Sequence, residues 1–277
     1  LYGEAGSDII NGDAGADDIY FGGTEAAGDT IDGGADNDDL VLTSNAFFDF
    51  TTSFTNMECV LFGGFTITAN VGTGFDLSGM TRSGASNLYG QGGSETITGT
   101  ESNDVFYGLA GADILNGGGG NDDFYISGTD SLGDQYDGGA GGIDEIHLQA
   151  DVYFNSANTF TAVERMVFNG FTIFADVGTS FDLTGMTRTG ASTLSGQGGN
   201  ETITGTNSAD IIYGLAGDDV LSGGSGGDTI YGGDDDDTIN GGASADFIYG
   251  GAGADAMFGY DGNDNFYISG TDATGDT

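Results

Sequence analysis

An acidic residue recurs at every ninth position through residues 201–264, and an apolar residue follows each acid after one intervening residue. Glycine fills most of the remaining positions. An α-helix repeats its apolar face every 3.6 residues, so this register excludes a helix. It predicts a stacked repeat in which each unit contributes one tight turn and one short strand. The acids are Glu201, Asp210, Asp219, Asp228, Asp237, Asp246, Asp255 and Asp264, and the apolar residues are Ile203, Ile212, Leu221, Ile230, Ile239, Ile248, Met257 and Phe266.

The same nonapeptide, written G-G-x-G-x-D-x-U-x with U apolar, occurs in two earlier blocks. The first begins at Gly3 and the second at Gly90, and their regular acids are Asp8, Asp17, Glu95, Asp104, Asp113 and Asp122. Less regular turns precede four further acids, Asp29, Asp38, Asp134 and Asp144. We take all of these acids as candidate metal ligands.

A longer repeat is superimposed on the short one. The segment 75–82 recurs as 181–188, 106 residues later, and Gly275-Asp276-Thr277 matches Gly28-Asp29-Thr30. We therefore expect a third module to begin at the end of this chain and the chain to be part of a longer protein. The predicted organisation is nonapeptide blocks at 1–40, 90–146 and 196–277, separated by β-rich segments at 41–89 and 147–195.

The two β-rich segments contain alternating apolar and polar residues, which is typical of half-buried strands. Phe65, Ile67, Ala69 and Val71 are expected on one side of such a strand. We interpret the segments as longer β-coils that continue the stack, with small separate β-domains as the alternative. The predicted fold is all-β, a parallel β-roll or β-helix solenoid.

The net charge of the chain limits the kinds of partner that it can bind. The chain has 44 Asp and Glu residues against three Lys and Arg, which gives a formal net charge of −41. Nucleic acid and anionic membranes need basic residues, so both are excluded as partners, and no apolar stretch is long enough for a transmembrane segment. Self-repulsion opposes compaction, so folding requires a neutralising cation. Carboxylates and turn carbonyls favour Ca²⁺, whereas one His and one Cys argue against zinc or copper.

The repeat length predicts where the cations bind. Two nonapeptides return the chain to the same side, so acids 18 residues apart should stack about 4.8 Å from each other, the strand spacing of a sheet. Asp219 then lies between Glu201 and Asp237, and Asp228 between Asp210 and Asp246. A divalent ion between such carboxylates turns repulsion into coordination. The alternative is that the aspartates stabilise turns without a metal.

These features resemble the RTX (repeats-in-toxin) family of calcium-binding β-rolls. The segment 223–231, Gly-Gly-Ser-Gly-Gly-Asp-Thr-Ile-Tyr, fits the family's nonapeptide fully. The resemblance implies several calcium ions bound by the acids named above, secretion by a type I route, and folding outside the cell. Glu95 and Glu201 are one methylene longer than the family's Asp, and we expect lower calcium occupancy there. Asp235 replaces a turn glycine, and because Asp tolerates left-handed φ the turn should survive.

Three functional classes remain. The first, which we favour, is a non-enzymatic calcium-stabilised scaffold or adhesive element of a surface layer, stalk or fibre. Its candidate partners besides calcium are cell-surface polysaccharide and further copies of the chain. The second is a calcium-triggered folding and secretion module attached to a secreted protease, lipase or polysaccharide-modifying enzyme outside this segment. The third, a polysaccharide enzyme within the segment, is disfavoured by the scarcity of basic residues.

Overall fold

The computed structural model describes residues 6–23 and 28–268, which form β-strands joined by turns. In the first half of the chain the strands are β1 (Ile9–Asn11), β2 (Asp18–Gly23), β3 (Thr30–Asp32), β4 (Asp39–Phe48), β5 (Ser53–Thr55), β6 (Cys59–Leu61), β7 (Ile67–Ala69), β8 (Gly74–Asp76), β9 (Thr81–Ser83), β10 (Leu88–Tyr89), β11 (Thr96–Thr98), β12 (Val105–Tyr107), β13 (Ile114–Asn116), β14 (Asp123–Gly128) and β15 (Gln135–Asp137). In the second half they are β16 (Glu145–Phe154), β17 (Thr159–Thr161), β18 (Arg165–Val167), β19 (Thr172–Ala175), β20 (Ser180–Asp182), β21 (Thr187–Thr189), β22 (Thr193–Ser195), β23 (Thr202–Thr204), β24 (Ile211–Ala216), β25 (Val220–Ser225), β26 (Thr229–Asp234), β27 (Thr238–Ala243), β28 (Phe247–Ala252), β29 (Ala256–Asp261) and β30 (Asn265–Tyr267).

The described part of the chain divides into two compact units. Unit 1 comprises the described residues within Leu1–Ile126, Asp134–Ile146 and Thr159–Val163, and unit 2 those within Ser127–Gly133, His147–Asn158 and Glu164–Thr277. Each unit is a parallel β-solenoid, as the nine-residue register predicts.

Unit 2 shows the repeat in its most regular form. Strands β23, β25, β27 and β29 pair in parallel on one face, and β22, β24, β26, β28 and β30 pair in parallel on the other. Val220 pairs with Thr238 and Ile230 with Ile248. One coil of the solenoid therefore contains 18 residues, or two nonapeptides.

Unit 1 has the same construction with less regular coils. On one face β1, β3 and β5 form a sheet, and β8, β11, β13, β15 and β17 form another. On the opposite face β2 pairs with β4, which pairs with both β6 and β7, and β10 joins β7 to β12. Strands from 41–89 thus continue the coil of the flanking nonapeptides and do not form a separate β-domain.

The core consists of apolar side chains that point inward from both faces and together form a row along each unit. The residue two positions after each acid points inward, and in the regular coils it is fully buried: Ile203, Ile212, Leu221, Ile230, Ile239 and Ile248 have no exposed surface. Aromatic residues occupy some of the same positions in unit 1, where Phe106 stacks on Phe124 with ring centroids 4.9 Å apart. Burial of this row removes apolar surface from water along the length of each unit.

Two expectations about the core are wrong in detail. Phe266 is 45% exposed because, among the described strands, β30 has a neighbouring coil on one side only. Strand β7 contains only Ile67 and Ala69 as inward residues, whereas Phe65 is half-buried and Val71 is exposed. Turns closed by backbone hydrogen bonds flank this strand on both sides, which is why the alternation predicted for 65–71 is shortened.

The described residues contain no helix that could cross a membrane. The third module predicted to begin at residues 275–277 lies outside the described residues.

Replacing Leu221 with Ala should lower the free energy of unfolding by about 2–5 kcal/mol, because the change leaves a cavity in the buried row. Val220 is the adjacent residue on the same strand and is 43% exposed. Val220→Ala is therefore the matched control and should cost about 0.5 kcal/mol or less. Urea unfolding in millimolar calcium measures both variants, and equal losses would contradict the inward assignment of Leu221.

Candidate functional site

The acids of unit 2 form two columns, one along each edge of the solenoid, because each turn stacks on the turn one coil away. The backbone N–H of each acid donates to the carboxylate of the acid 18 residues later. On one edge Glu201, Asp219 and Asp237 donate to Asp219, Asp237 and Asp255 at 2.7, 2.9 and 3.0 Å. On the other edge Asp210, Asp228 and Asp246 donate to Asp228, Asp246 and Asp264 at 2.7, 2.8 and 3.0 Å.

The acids of unit 1 form the same columns with a sequence spacing that varies from 18 to 22 residues. The donor–acceptor pairs are Asp8 with Asp29, Asp17 with Asp38, Glu95 with Asp113, Asp113 with Asp134, Asp104 with Asp122, and Asp122 with Asp144, at 2.7–2.9 Å. All eighteen acids singled out in the sequence therefore lie in columns, including those after irregular turns.

At least half of these eighteen carboxylates have a buried oxygen that no hydrogen bond satisfies. Their Oδ1 atom accepts the backbone N–H of the preceding coil, whereas their Oδ2 atom is buried without a donor. Among the described residues this holds for Asp29, Asp38, Asp113, Asp122, Asp219, Asp228, Asp237 and Asp246, and Asp8 likewise has a buried Oδ2 atom without a donor. A buried carboxylate oxygen without a hydrogen-bond donor is costly, so each such atom is a candidate ligand for a cation.

Backbone carbonyls lie close to these oxygens. A Cβ atom placed on Gly223 would lie 2.2 Å from Asp228 Oδ2 and 2.5 Å from the carbonyl oxygen of Gly241 on the next coil. The equivalent point on Gly232 lies 2.3 Å from Asp237 Oδ2 and 2.4 Å from the carbonyl oxygen of Gly250. Only glycine leaves room for the carboxylate here, and the arrangement brings a carboxylate and a carbonyl oxygen together between adjacent coils.

The pKa values of several of the stacked aspartates are raised, which means that their charged forms are disfavoured. Burial, followed by the charges of neighbouring acids, raises the pKa of Asp219 to about 6 and the pKa values of Asp228 and Asp237 to about 7. In unit 1 the same causes raise the pKa of Asp113 to about 7 and that of Asp122 to about 8. Without a cation, the folded chain therefore binds more protons near neutral pH than the unfolded chain does.

The donor set fits calcium. Calcium takes six to eight oxygen ligands from carboxylates and backbone carbonyls in flexible geometry, and these are the groups that converge between the coils. The turns that expose the carbonyls use left-handed backbone. Asp235 adopts φ 76°, which confirms that the turn survives the replacement of glycine.

Some candidate acids have their oxygens engaged by protein donors instead. Glu201 Oε1 accepts the N–H of Gly178 at 2.6 Å and its Oε2 accepts the N–H of Gln197 at 3.1 Å. Glu95 has the same contacts with Gly72 and Gln91. The extra methylene allows each Glu to reach the backbone of the preceding β-rich segment.

Three aspartates are also engaged. Tyr136 donates its hydroxyl to Asp134 Oδ2 at 2.7 Å. The Oδ2 atoms of Asp104 and Asp210 each accept both the N–H and the hydroxyl of a threonine, Thr100 and Thr206 respectively, at 2.6–2.9 Å. These acids therefore differ from Asp228 and its equivalents.

Glu58 belongs to a column and was not among the predicted site residues. Its Oε2 accepts the N–H of Asp38 at 2.7 Å. It lies 20 residues after Asp38 and is outside the nine-residue register, but it precedes the buried Val60 by two positions. The acid-x-apolar triplet is the signal that could have identified it.

A family model agrees with this geometry. The model described as the RTX calcium-binding nonapeptide repeat, in four copies, matches residues 1–23, 25–44, 89–124, 195–230 and 231–266, which together are more than half of the chain. No curated protein matches this chain.

The metal-free fold should become more stable as the pH is lowered from 8 to 5. Because the folded-state pKa values are raised above the unfolded value of 3.8, the folded state binds more protons in this range, so stability is lost as the pH rises through about 6–8. Circular dichroism in chelator across this range measures the β-content. The control is a sample at pH 8 with 0.5 M salt. Salt screens repulsion between surface charges but does not protonate the buried carboxylates, so it should not restore the β-content to the value at pH 5. β-Content that is independent of pH would contradict the assignment.

Proposed function

Because the chain belongs to the RTX calcium-binding nonapeptide repeat family, we propose that calcium ions bind between its adjacent coils and that the loaded β-solenoid is a rigid structural element of an extracellular protein. The repeat region is a calcium-binding domain, and an RTX β-roll is structural and not catalytic. The observation that carries the proposal is the set of buried Oδ2 atoms that no hydrogen-bond donor satisfies.

The proposed ligands are the acids whose buried Oδ2 atom lacks a donor, together with carbonyl oxygens such as those of Gly241 and Gly250. Each ion would neutralise carboxylates that otherwise repel one another across a gap between coils. Asp17, Asp144, Asp255 and Asp264 lie in the same columns and complete the proposed ligand set. The engaged acids Glu95, Glu201, Asp104, Asp134 and Asp210 are weaker ligands in this proposal, because protein donors already occupy their oxygens.

The extracellular location follows from the need for calcium. A chain with a net charge of −41 should stay unfolded where calcium is scarce and fold where it is abundant. This behaviour suits export as an unfolded chain, which is the type I route that the family resemblance implies. We propose a surface-layer, stalk or fibre component, with cell-surface polysaccharide or further copies of the chain as partners.

Calcium should convert the chain from a mostly disordered to a β-rich state. Binding to the folded state alone shifts the equilibrium by mass action, so the midpoint should depend on free calcium. Circular dichroism during a calcium titration measures the transition, with magnesium at the same concentration as control, since Mg²⁺ demands a smaller octahedral site. Identical β-spectra in chelator and in calcium would refute metal-linked folding.

The double variant Asp228→Asn and Asp246→Asn should bind less calcium than the wild-type chain and require about tenfold more calcium to fold, because it removes two neighbouring charges from one column. Asn retains the Oδ1 acceptor for the backbone N–H of the preceding coil, so the fold itself is preserved. Asp236→Asn is the matched control, because Asp236 is exposed and its Oδ1 accepts only the N–H of Ala254. Calorimetry gives the stoichiometry, and an unchanged value in the double variant would contradict the ligand assignment.

The scaffold role is separable from calcium binding. Single-molecule stretching of the loaded chain should show force peaks as coils unfold, whereas the chain in chelator should extend without peaks. A loaded chain that binds calcium but extends without peaks would contradict the structural role and favour a folding and secretion module.

A further inference from the structure

Two of the three arginines occupy equivalent places in the repeat. Arg82 lies on β9 and Arg188 on β21, in the last stretch of each β-rich segment. Each precedes the acid that opens one edge of the next nonapeptide block by 22 residues, Asp104 for Arg82 and Asp210 for Arg188. The two arginines therefore lie one coil before the point where an acid column begins.

Each guanidinium contacts the first acid of its column. Arg188 Nε lies 3.4 Å from Asp210 Oδ1, and Arg82 Nε lies 3.6 Å from Asp104 Oδ1. Both carboxylates are completely buried, whereas about a fifth of each arginine side chain is exposed. In each pair the arginine therefore lies on the solvent side of the buried carboxylate.

The guanidinium also binds backbone carbonyls. Arg188 donates from Nε to the carbonyl oxygen of Ala209 at 2.7 Å, from Nη2 to the same oxygen, and from Nη1 to the carbonyl oxygen of Gly190. Arg82 donates from Nη1 to the carbonyl oxygen of Gly84. A carboxylate and backbone carbonyls are the donor set that calcium takes between the other coils.

The acid beside the arginine differs from its neighbours in the column. Asp210 Oδ2 accepts two hydrogen bonds from Thr206, and its Oδ1 accepts the hydroxyl of Ser192 at 2.5 Å besides facing Arg188. One coil later, the Oδ2 of Asp228 is buried without a donor. Protein groups therefore satisfy both oxygens of Asp210, whereas no hydrogen-bond donor reaches the Oδ2 of Asp228.

We propose that the guanidinium groups of Arg82 and Arg188 replace a calcium ion at the gap between the last coil of the β-rich segment and the first acid of the column. This inference rests on the proposed calcium-bound function and defines where each ion column starts. The arginine gap takes no calcium, because a fixed cation already neutralises its carboxylate and occupies its carbonyls. The first acid of that edge is neutralised without metal, and the first calcium ion binds in the next gap between coils.

The test compares Arg82→Gln, Arg188→Gln and their combination with Arg165→Gln. Arg165 lies on β18 and is the third arginine of the chain, so its replacement removes the same charge from another place. Each single Arg82 or Arg188 variant should raise the calcium concentration at the folding midpoint by about threefold or more relative to the control, because a buried carboxylate loses its cation. A shift no larger than that of Arg165→Gln would overturn the proposal.

The number of ions bound at saturating calcium, measured by elemental analysis of the desalted complex, gives an independent reading. A number equal to that of the wild-type chain, or larger by one per replaced arginine, supports the proposal. A number smaller by one per replaced arginine would mean that the guanidinium supports a calcium site, and this would overturn it. If the combined variant does not fold, the single variants decide, since each retains the other arginine.

Calcium uptake by the wild-type chain distinguishes a failure of the proposed function from a failure of this inference. A wild-type chain that takes up no calcium would overturn the proposed function and the inference together. A wild-type chain that binds calcium, with arginine variants that behave like the control or lose ions, would overturn the inference alone.

Discussion

The structure depends on how stacked carboxylates are neutralised. A parallel solenoid places equivalent residues of successive coils next to each other, so an acid at a fixed turn position must meet another acid one coil away. Hydrogen bonds from the backbone, such as that from Asp210 to Asp228, satisfy one oxygen of each carboxylate. For acids such as Asp228 and Asp237, the second oxygen is buried without a donor. The apolar row formed by residues such as Ile230 favours the coil, while the columns oppose it until a cation is supplied.

Several kinds of hydrogen-bond donor and one kind of cationic side chain contact the stacked carboxylates. Backbone N–H groups of Gly178 and Gln197 satisfy Glu201, a tyrosine hydroxyl satisfies one oxygen of Asp134, and a guanidinium faces Asp210. Gly178 and Arg188 belong to the β-rich segment 147–195, whereas Gln197 and Tyr136 lie within nonapeptide blocks, where the repeat departs from its consensus. Where the register is unbroken, glycines surround the carboxylate and offer carbonyl oxygens but no second donor. Regularity of sequence and dependence on a free cation are thus two aspects of the same construction.

The sequence predicts the regular part of this construction because the determinants are local. The acid-x-apolar triplet specifies which residue points inward, and a period of nine specifies a coil of 18, as the pairing of Val220 with Thr238 shows. Glu58 escaped the register because its coil is longer, although its triplet with Val60 was visible. The difference between Asp228 and Asp210 could not be predicted, since it depends on Thr206 and on residues of the preceding coil, Ser192 and Arg188. Contacts between coils of unequal length have no fixed sequence spacing.

This contrast gives the β-rich segments a role beyond that of spacers. They supply the two kinds of group that the nonapeptides lack, a cation on one edge and free N–H donors on the other. In unit 1 Arg82 faces Asp104 while the N–H of Gly72 binds Glu95, and in unit 2 Arg188 and Gly178 repeat the arrangement. In a block that begins on such a segment, the first acid of one edge faces a guanidinium and the first acid of the other edge accepts backbone N–H groups. In the proposed calcium-bound state, ions would therefore add coils to an end that protein groups already stabilise.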